Sequence, residues 1–325
     1  MDRRMFIVVF AGSALHAARV AYGQPAVRVY RIGFLTAGSA EQTAPLFRAL
    51  DEGLRDLGYI EGRNIAFERR YADGRMERLP DLAADLVRLR VDVMVSGSNP
   101  ITAAAKRATT TIPIVMISVL DPVGSGFVAS LARPGGNITG VSIDASAEIH
   151  AKFLGLLAEI VPGLSRVGVL RPADYGSFGF AQLEAAARKR NVALDVVEIR
   201  SLDQLEGAFA TMAGKRVGAV VVVGSLFYLR RQQLADLALR HRLPAIHSLK
   251  DYAQVGLLLT YGPNLQELYR QAAGYVARIL RGAGPADLPV EQPTKFELVI
   301  NLRTAKALGL TIPQSVLLRA DEVIQ

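Results

Sequence analysis

The stretch IPIVMISVLDPVGSGFVASLARPGGNITGVS, residues 112–142, decides the class of fold. Its two apolar runs, 112–118 and 138–142, predict buried strands, because short apolar runs bounded by Gly, Pro and Asp are typical of strands in a covered sheet. The segment 123–136 between them predicts a short helix that ends at Pro134-Gly135-Gly136. Two strands joined through a helix indicate an α/β fold.

The loop in this stretch reads G-x-G-x-x-A from Gly124, a pattern that marks a dinucleotide-binding turn when it joins a strand to a helix. A dinucleotide-binding fold carries that pattern in its first strand–turn–helix unit. Here the first unit reads GFLTAGSAEQ, residues 33–42, and lacks it. Asp144 lies twenty residues beyond Gly124, but it follows the predicted hinge. We therefore expect no cofactor, and an NAD-linked enzyme is only an alternative.

The same alternation of strand and helix extends in both directions from this stretch. Five strand patterns precede residue 143, and five more follow between 166 and 262, which predicts two similar doubly wound parallel-sheet lobes. The remaining segment predicts one long helix, a strand and a short helix. Three crossings between the lobes follow, near 137–142, 261–264 and 289–294. The predicted N-terminal lobe is 28–140 plus 264–288, and the C-terminal lobe is 141–263 plus 289–325.

Composition excludes several classes of site. The 325 residues contain no cysteine, so disulfides and thiolate chemistry are absent, and the four histidines form no ligand-pair spacing. The net charge of +8 is spread singly and in pairs, so we predict no nucleic-acid partner and no metal. No nucleophile elbow, HExxH motif or P-loop occurs, which favours a protein that is not an enzyme.

The first 23 residues are typical of an export signal. Arg3 and Arg4 precede a short apolar run, and small residues at Ala21 and Gly23 indicate cleavage before Gln24. The apolar run is too short to cross a bilayer. The paired arginines resemble a twin-arginine signal, so export by that route or by the general secretory route stays open. Both routes predict a periplasmic or secreted protein.

Four segments resemble a known family. They are residues 71–95, 111–142, 238–248 and 286–325, which include the runs DPV…RPGGN and QPTKFELVIN. Over Arg28 to Gln325 the chain resembles the ABC-transporter substrate-binding family that includes tryptophan- and tyrosine-type uptake proteins. The resemblance implies a type I periplasmic-binding fold, capture of a small molecule outside the membrane, and delivery to a permease with a separate ATPase.

Candidate ligand-binding residues follow from the position of the loops. In a parallel sheet the loops at the carboxyl ends of the strands gather at one edge, where open α/β folds bind ligands. Helix capping and packing between the lobes remain alternatives for these side chains, and Arg171 is a further candidate for a ligand carboxylate. The candidates are Thr36, Ser39, Ser98, Asn99, Asp121, Tyr175, Phe178, Ser225, Tyr228 and Tyr261.

The expected function is the substrate-binding component of an ABC importer. We expect a monomer that closes by hinge motion on a small solute. The resemblance implies an amino acid, especially an aromatic one, as the leading case. A sensor that presents its ligand-bound state to a receptor would have the same fold and cleft. The identity of the ligand is left open by the residues themselves.

Overall fold

A computed structural model of the chain describes residues 28–143, 147–173 and 175–325. The predicted signal segment, residues 1–23, and Asp144 lie outside these ranges. Within them, no helix combines the length and the apolar character needed to cross a bilayer.

The first sheet has five parallel strands, in the spatial order β2-β1-β3-β4-β5. It is the N-terminal half of the α/β architecture that the alternating pattern predicts, with helices on both faces. The strands are β1 (Tyr30–Thr36), β2 (Ile65–Tyr71), β3 (Val93–Gly97), β4 (Ile114–Val119) and β5 (Ile138–Ser142). The helices between them are α1 (Ala40–Asp56), α2 (Leu79–Arg88) and α3 (Asn99–Ala108).

The second half repeats this architecture. Its strands are β6 (Arg166–Pro172), β7 (Ala193–Ile199), β8 (Ala219–Val222), β9 (Ala245–His247) and β10 (Leu259–Gly262). Its helices are α4 (Ile149–Ile160), α5 (Phe180–Lys189), α6 (Leu205–Gly214), α7 (Arg231–Arg240) and α8 (Lys250–Gln254). These five strands pair in parallel, as the predicted fold class requires.

The C-terminal segment supplies elements to both halves. Helix α9 (Leu265–Leu280) packs against α1 on the first sheet, where Arg270 pairs with Asp56. Strand β11 (Glu297–Asn301) then joins the second sheet antiparallel to β10, and β12 (Glu322–Ile324) pairs parallel to β11. Helices α10 (Leu302–Leu308) and α11 (Gln314–Leu317) lie between these last strands. The second sheet therefore has seven strands, in the order β12-β11-β10-β9-β8-β6-β7.

The first passage between the sheets lies later than predicted. Val141 and Ser142 are still part of β5, so the first sheet extends beyond the predicted boundary at residue 140. The backbone of Ser142 donates to the carbonyl of Glu291 at 2.9 Å, and Glu291 donates to Gly140 at 3.1 Å. Two passages therefore run side by side at the edge of the first sheet. The remaining passage, at residues 263–264, falls within the predicted range of 261–264.

The predicted helix over 123–136 is wrong. No helix forms between β4 and β5, and the chain instead makes successive turns. Asp121 has a φ of +43°, and its Oδ1 accepts a hydrogen bond from the backbone of Gly124 at 2.9 Å. This hydrogen bond from the Gly124 N–H stabilises a turn and competes with the hydrogen bonds of a helix. Asp side chains commonly compete with helix formation in this way. The glycines on both sides of Ser125 give a helix little help.

Candidate functional site

A cavity of about 1150 Å³ lies between the two sheets. One wall comes from α3, the loop after β4 and the segment before α2, and the other from α4 and the loops after β6, β8 and β9. The cavity is thus at the carboxyl ends of the strands, where the topology predicts a ligand site.

Five of the predicted residues line this cavity. Asn99 and Asp121 belong to the N-terminal wall, and Tyr175, Phe178 and Ser225 belong to the opposite wall. The structure therefore brings together side chains that are up to 126 positions apart in the sequence, which runs from Asn99 to Ser225.

The cavity wall does not include Thr36, Ser39 or Ser98. Each of these residues instead makes a hydrogen bond with nearby backbone. Thr36 is 5% exposed, and its Oγ1 accepts from the backbone of Gly38 at 3.4 Å. Ser39 caps α1 in a reciprocal capping box with Gln42. Ser98 precedes α3 with a φ of +90°, and its N–H donates to the carbonyl of Ile117. Ser39 is therefore a helix cap, which is the alternative that the sequence left open for it.

Tyr228 also lies away from the cavity. It belongs to a 3-10 segment, Ser225–Arg230, whose first residue lines the cavity while Tyr228 packs against the core. Its hydroxyl donates to Asp251 Oδ1 at 2.9 Å. Burial, followed by the negative charge of Asp251, raises the pKa of Tyr228 well above its usual value. This tyrosine therefore holds the segment to α8 and does not face the cleft.

Tyr261, at the end of β10, lies outside the cavity wall as well. Its ring stacks on Phe296 with 5.7 Å between centroids, and the Lys152 ammonium lies 4.0 Å from the same ring. Lys152 also donates to the Tyr261 hydroxyl. These contacts agree with the alternative that the sequence left open for Tyr261, which is packing between the lobes. Arg171 is likewise engaged, because its guanidinium pairs with Glu198.

The N-terminal wall is a loop held by Asn99. The side-chain amide of Asn99 donates to the carbonyl of Leu120 at 2.7 Å and to Ser125 Oγ at 2.9 Å. Its Oδ1 accepts from the backbone of Leu120 at 2.8 Å. Asp121 both lines the cavity and closes the turn with Gly124, so the two roles considered for it from the sequence are compatible. The G-x-G-x-x-A pattern is thus part of a turn and does not begin a helix. The dinucleotide fingerprint requires a helix at this position.

The opposite wall carries an aromatic cluster around His150. The imidazole centroid lies 5.7 Å from the ring of Phe153, 6.2 Å from that of Tyr175 and 6.4 Å from that of Phe178. Nε2 of His150 is 3.3 Å from the Tyr175 hydroxyl. Such edge-to-face contacts hold aromatic rings in defined orientations. All four rings belong to residues that line the cavity.

Gly224 allows Tyr175 to reach this position. It precedes Ser225 with a φ of +102°, a conformation that other residues rarely adopt. A Cβ at Gly224 would lie 2.7 Å from Pro172 and 3.1 Å from the Tyr175 ring. The close packing of these two loops makes the C-terminal wall continuous.

Two buried histidines in the wall are uncharged. Burial lowers the pKa of His150 to about 4, although a backbone hydrogen bond with Gly179 opposes the shift. Burial lowers the pKa of His247 to about 3. The two side chains are 5% and 2% exposed. At neutral pH the C-terminal wall therefore presents hydrogen-bonding imidazoles without charge.

Sequence reasoning missed both histidines, because it considered histidine only as a metal ligand. His247 ends β9, so the rule that selected Ser225 after β8 would have selected it too. His150 lies in the first turn of α4, and no local pattern distinguishes it. Arg107 and Arg200 also line the cavity, one on each wall. In the described ranges, no group of three or more His, Asp or Glu could hold a metal ion.

Comparisons with known proteins identify the family. A curated relative, the tyrosine-binding protein of Clostridioides difficile (strain R20291), is 29% identical over 261 residues, which are 80% of this chain and 75% of the relative. A Streptococcus pneumoniae ABC domain in complex with L-Trp matches with a TM-score of 0.83 and 25% identity, covering 91% of this chain and 99% of that one.

A conserved domain protein of Vibrio cholerae O1 matches with a TM-score of 0.81 and 27% identity, over 91% of this chain and 99% of that one. The family model described as "ABC transporter substrate binding protein" matches residues 42–324. These residues include every strand of both sheets except β1, and every described residue of the cavity wall. The chain therefore belongs to the ABC transporter substrate-binding protein family.

Proposed function

We propose that this protein captures an aromatic amino acid of the tyrosine or tryptophan type in the cleft and delivers it to the permease of an ABC importer. The observation that carries the proposal is the wall formed by Phe153, Tyr175 and Phe178 around the uncharged His150. Aromatic faces favour a planar apolar side chain, and burying one supplies much of the binding free energy.

The polar groups of the cavity suit the remainder of an amino acid. On the N-terminal wall the Asp121 carboxylate suits an ammonium group, while Arg107 and Arg200 suit a carboxylate. Neither arginine forms an ion pair within 4.0 Å in the described part of the chain. The names of the C. difficile relative and of the S. pneumoniae complex support the same ligand class.

The three passages between the sheets support capture by hinge closure. The predicted lobes, 28–140 plus 264–288 and 141–263 plus 289–325, would rotate about these passages as two rigid bodies, with the first boundary moved to the end of β5. We further propose that the protein acts as a monomer outside the cytoplasm, exported by the N-terminal segment, and that a separate ATPase drives the permease.

The absence of tryptophan from the chain allows a direct test. L-Trp fluorescence, excited where tyrosine does not absorb, should change on addition of the purified protein, because all of that emission comes from the ligand. L-Tyr should then compete with L-Trp. If neither amino acid binds at millimolar concentration, the proposed ligand class is wrong. Cells lacking the gene should also take up labelled L-Tyr more slowly than the parent strain.

Two tyrosine variants provide a matched comparison. Tyr175→Ala should weaken L-Trp binding about tenfold or more, because an aromatic contact in a desolvated site is worth roughly 1.4 kcal/mol. Tyr261→Ala should leave binding unchanged, because its ring packs on Phe296 outside the cavity. Equal effects of the two variants would contradict the assignment of the aromatic wall.

A further inference from the structure

Three buried polar atoms without a hydrogen-bond partner belong to residues of β9, α8 and β10. They are His247 Nε2, the Tyr252 hydroxyl and Thr260 Oγ1. His247 and Thr260 are paired in register on adjacent parallel strands, so their side chains lie on the same face of the sheet. The Tyr252 ring stacks on the imidazole with 3.8 Å between centroids.

Such a concentration of unpaired polar atoms is unusual in a protein interior. Buried polar groups are nearly always hydrogen-bonded, and each exception calls for a functional or structural explanation. The three residues are 2%, 0% and 1% exposed, respectively, so bulk water does not satisfy them. His247 also lines the cavity.

The hydrogen bonding of His247 determines which partner it can take. Its Nδ1 accepts a hydrogen bond from the backbone of Leu249 at 3.0 Å, so the proton of the neutral ring is on Nε2. Nε2 is therefore a donor without an acceptor. A contact with the Gly224 backbone opposes the lowering of the pKa of His247, but no acceptor meets hydrogen-bond geometry at Nε2.

We infer that His247 Nε2–H, in the cavity wall, forms a polar subsite that binds an acceptor oxygen of the ligand. The inference rests on the proposed function and narrows its ligand class. An aromatic amino acid offers such an oxygen in its carboxylate, and tyrosine offers a second in its phenol. An indole N–H pointed at the same donor would leave both groups unpaired, which disfavours binding of tryptophan through its ring at this position.

The test uses the full chain and three probes, L-Tyr, L-Phe and tyramine, measured by isothermal titration calorimetry. His247→Phe retains a ring to stack on Tyr252 and removes the donor. His241→Phe is the matched control, since His241 stacks on Phe209 away from the cavity. His247→Gln restores an N–H donor, so the test does not depend on a single variant that folds.

The expected result is that His247→Phe weakens L-Tyr binding about tenfold, that His247→Gln recovers part of the loss, and that His241→Phe has no effect. A loss seen with tyramine but not with L-Phe assigns the oxygen to the phenol, and the reverse assigns it to the carboxylate. Wild-type affinity of His247→Phe for all three probes would overturn the inference alone. If the wild-type protein binds none of them, the proposed ligand class fails, and this subsite assignment fails with it.

Discussion

Lowering the pH from 7 to 4.5 tests whether His150 and His247 are uncharged in the folded protein. Their pKa values are about 4 and about 3, against 6.5 for an unburied imidazole. Between these values the unfolded chain binds a proton at each histidine and the folded chain does not. Because the unfolded state binds more protons in this window, the free energy of unfolding must fall as the pH falls below 6.5.

The size of the effect follows from the pKa values. At pH 4.5 the unfolded imidazole is two pH units below its pKa, while both folded imidazoles are mostly neutral. With 1.36 kcal/mol for each unit, the loss is about 2–3 kcal/mol for each histidine and about 5 kcal/mol for both. For His150 the loss levels off near pH 4, and for His247 near pH 3.

The assay is equilibrium urea unfolding followed by circular dichroism at pH 7 and pH 4.5. Wild type is compared with His150→Phe and His247→Phe, because contributions from the carboxylates are common to all three proteins. The free energy of unfolding of each variant should fall by about 2–3 kcal/mol less than that of wild type over the same pH interval. If all three proteins lose equal stability, the histidines are accessible to protons in the folded state, and the argument from burial is wrong.

Three further predictions concern the wall, the backbone and the ligand. Asn99→Ala should lower the free energy of unfolding by about 1–2 kcal/mol and speed amide exchange of Leu120, because the Leu120 N–H loses its acceptor while the carbonyl keeps only the bond from Ser125 Oγ at 3.2 Å. Gly140→Ala should destabilise by about 2 kcal/mol or more, since φ is +137° and a Cβ would lie 2.1 Å from the Met116 carbonyl oxygen. Gly274→Ala, in α9 with no atom within 4 Å, should instead stabilise by about 1 kcal/mol; urea midpoints decide both. L-Tyr at a hundredfold excess over its dissociation constant should add about 2.7 kcal/mol of stability, and an unchanged Tm would contradict binding.

The arrangement of strands and helices was largely predictable, because apolar periodicity is a local property. Every predicted strand from 27 to 142 appears as an element of the first sheet. The helix predicted over 123–136 does not form, because side-chain hydrogen bonds stabilise a series of turns there instead. The Asp121 carboxylate accepts a hydrogen bond from the backbone N–H of Gly124. The Asn99 side chain of α3 donates to the Leu120 carbonyl and to Ser125 Oγ in the same loop.

The candidate site was predictable in part. The rule that ligands lie at the carboxyl ends of strands located the edge where the cavity lies, and of the residues that it selected, Asn99, Asp121, Tyr175, Phe178 and Ser225 line that cavity. It has no means to distinguish a side chain that points into the cleft from one that points to the core. Tyr228 lies three residues after Ser225, yet its hydroxyl reaches Asp251 and its ring packs on the core.

The sequence by itself determined the two-lobed α/β architecture, the family and the edge of the sheets at which the cavity lies. These depend on the order of apolar and polar residues and on runs such as QPTKFELVIN, which are independent of long-range contacts. Only the tertiary structure decided which wall is aromatic, and that His150 and His247 are buried and uncharged there. Burial depends on which surfaces meet, and it is burial that sets the pKa of an imidazole and leaves its Nε2–H without a partner.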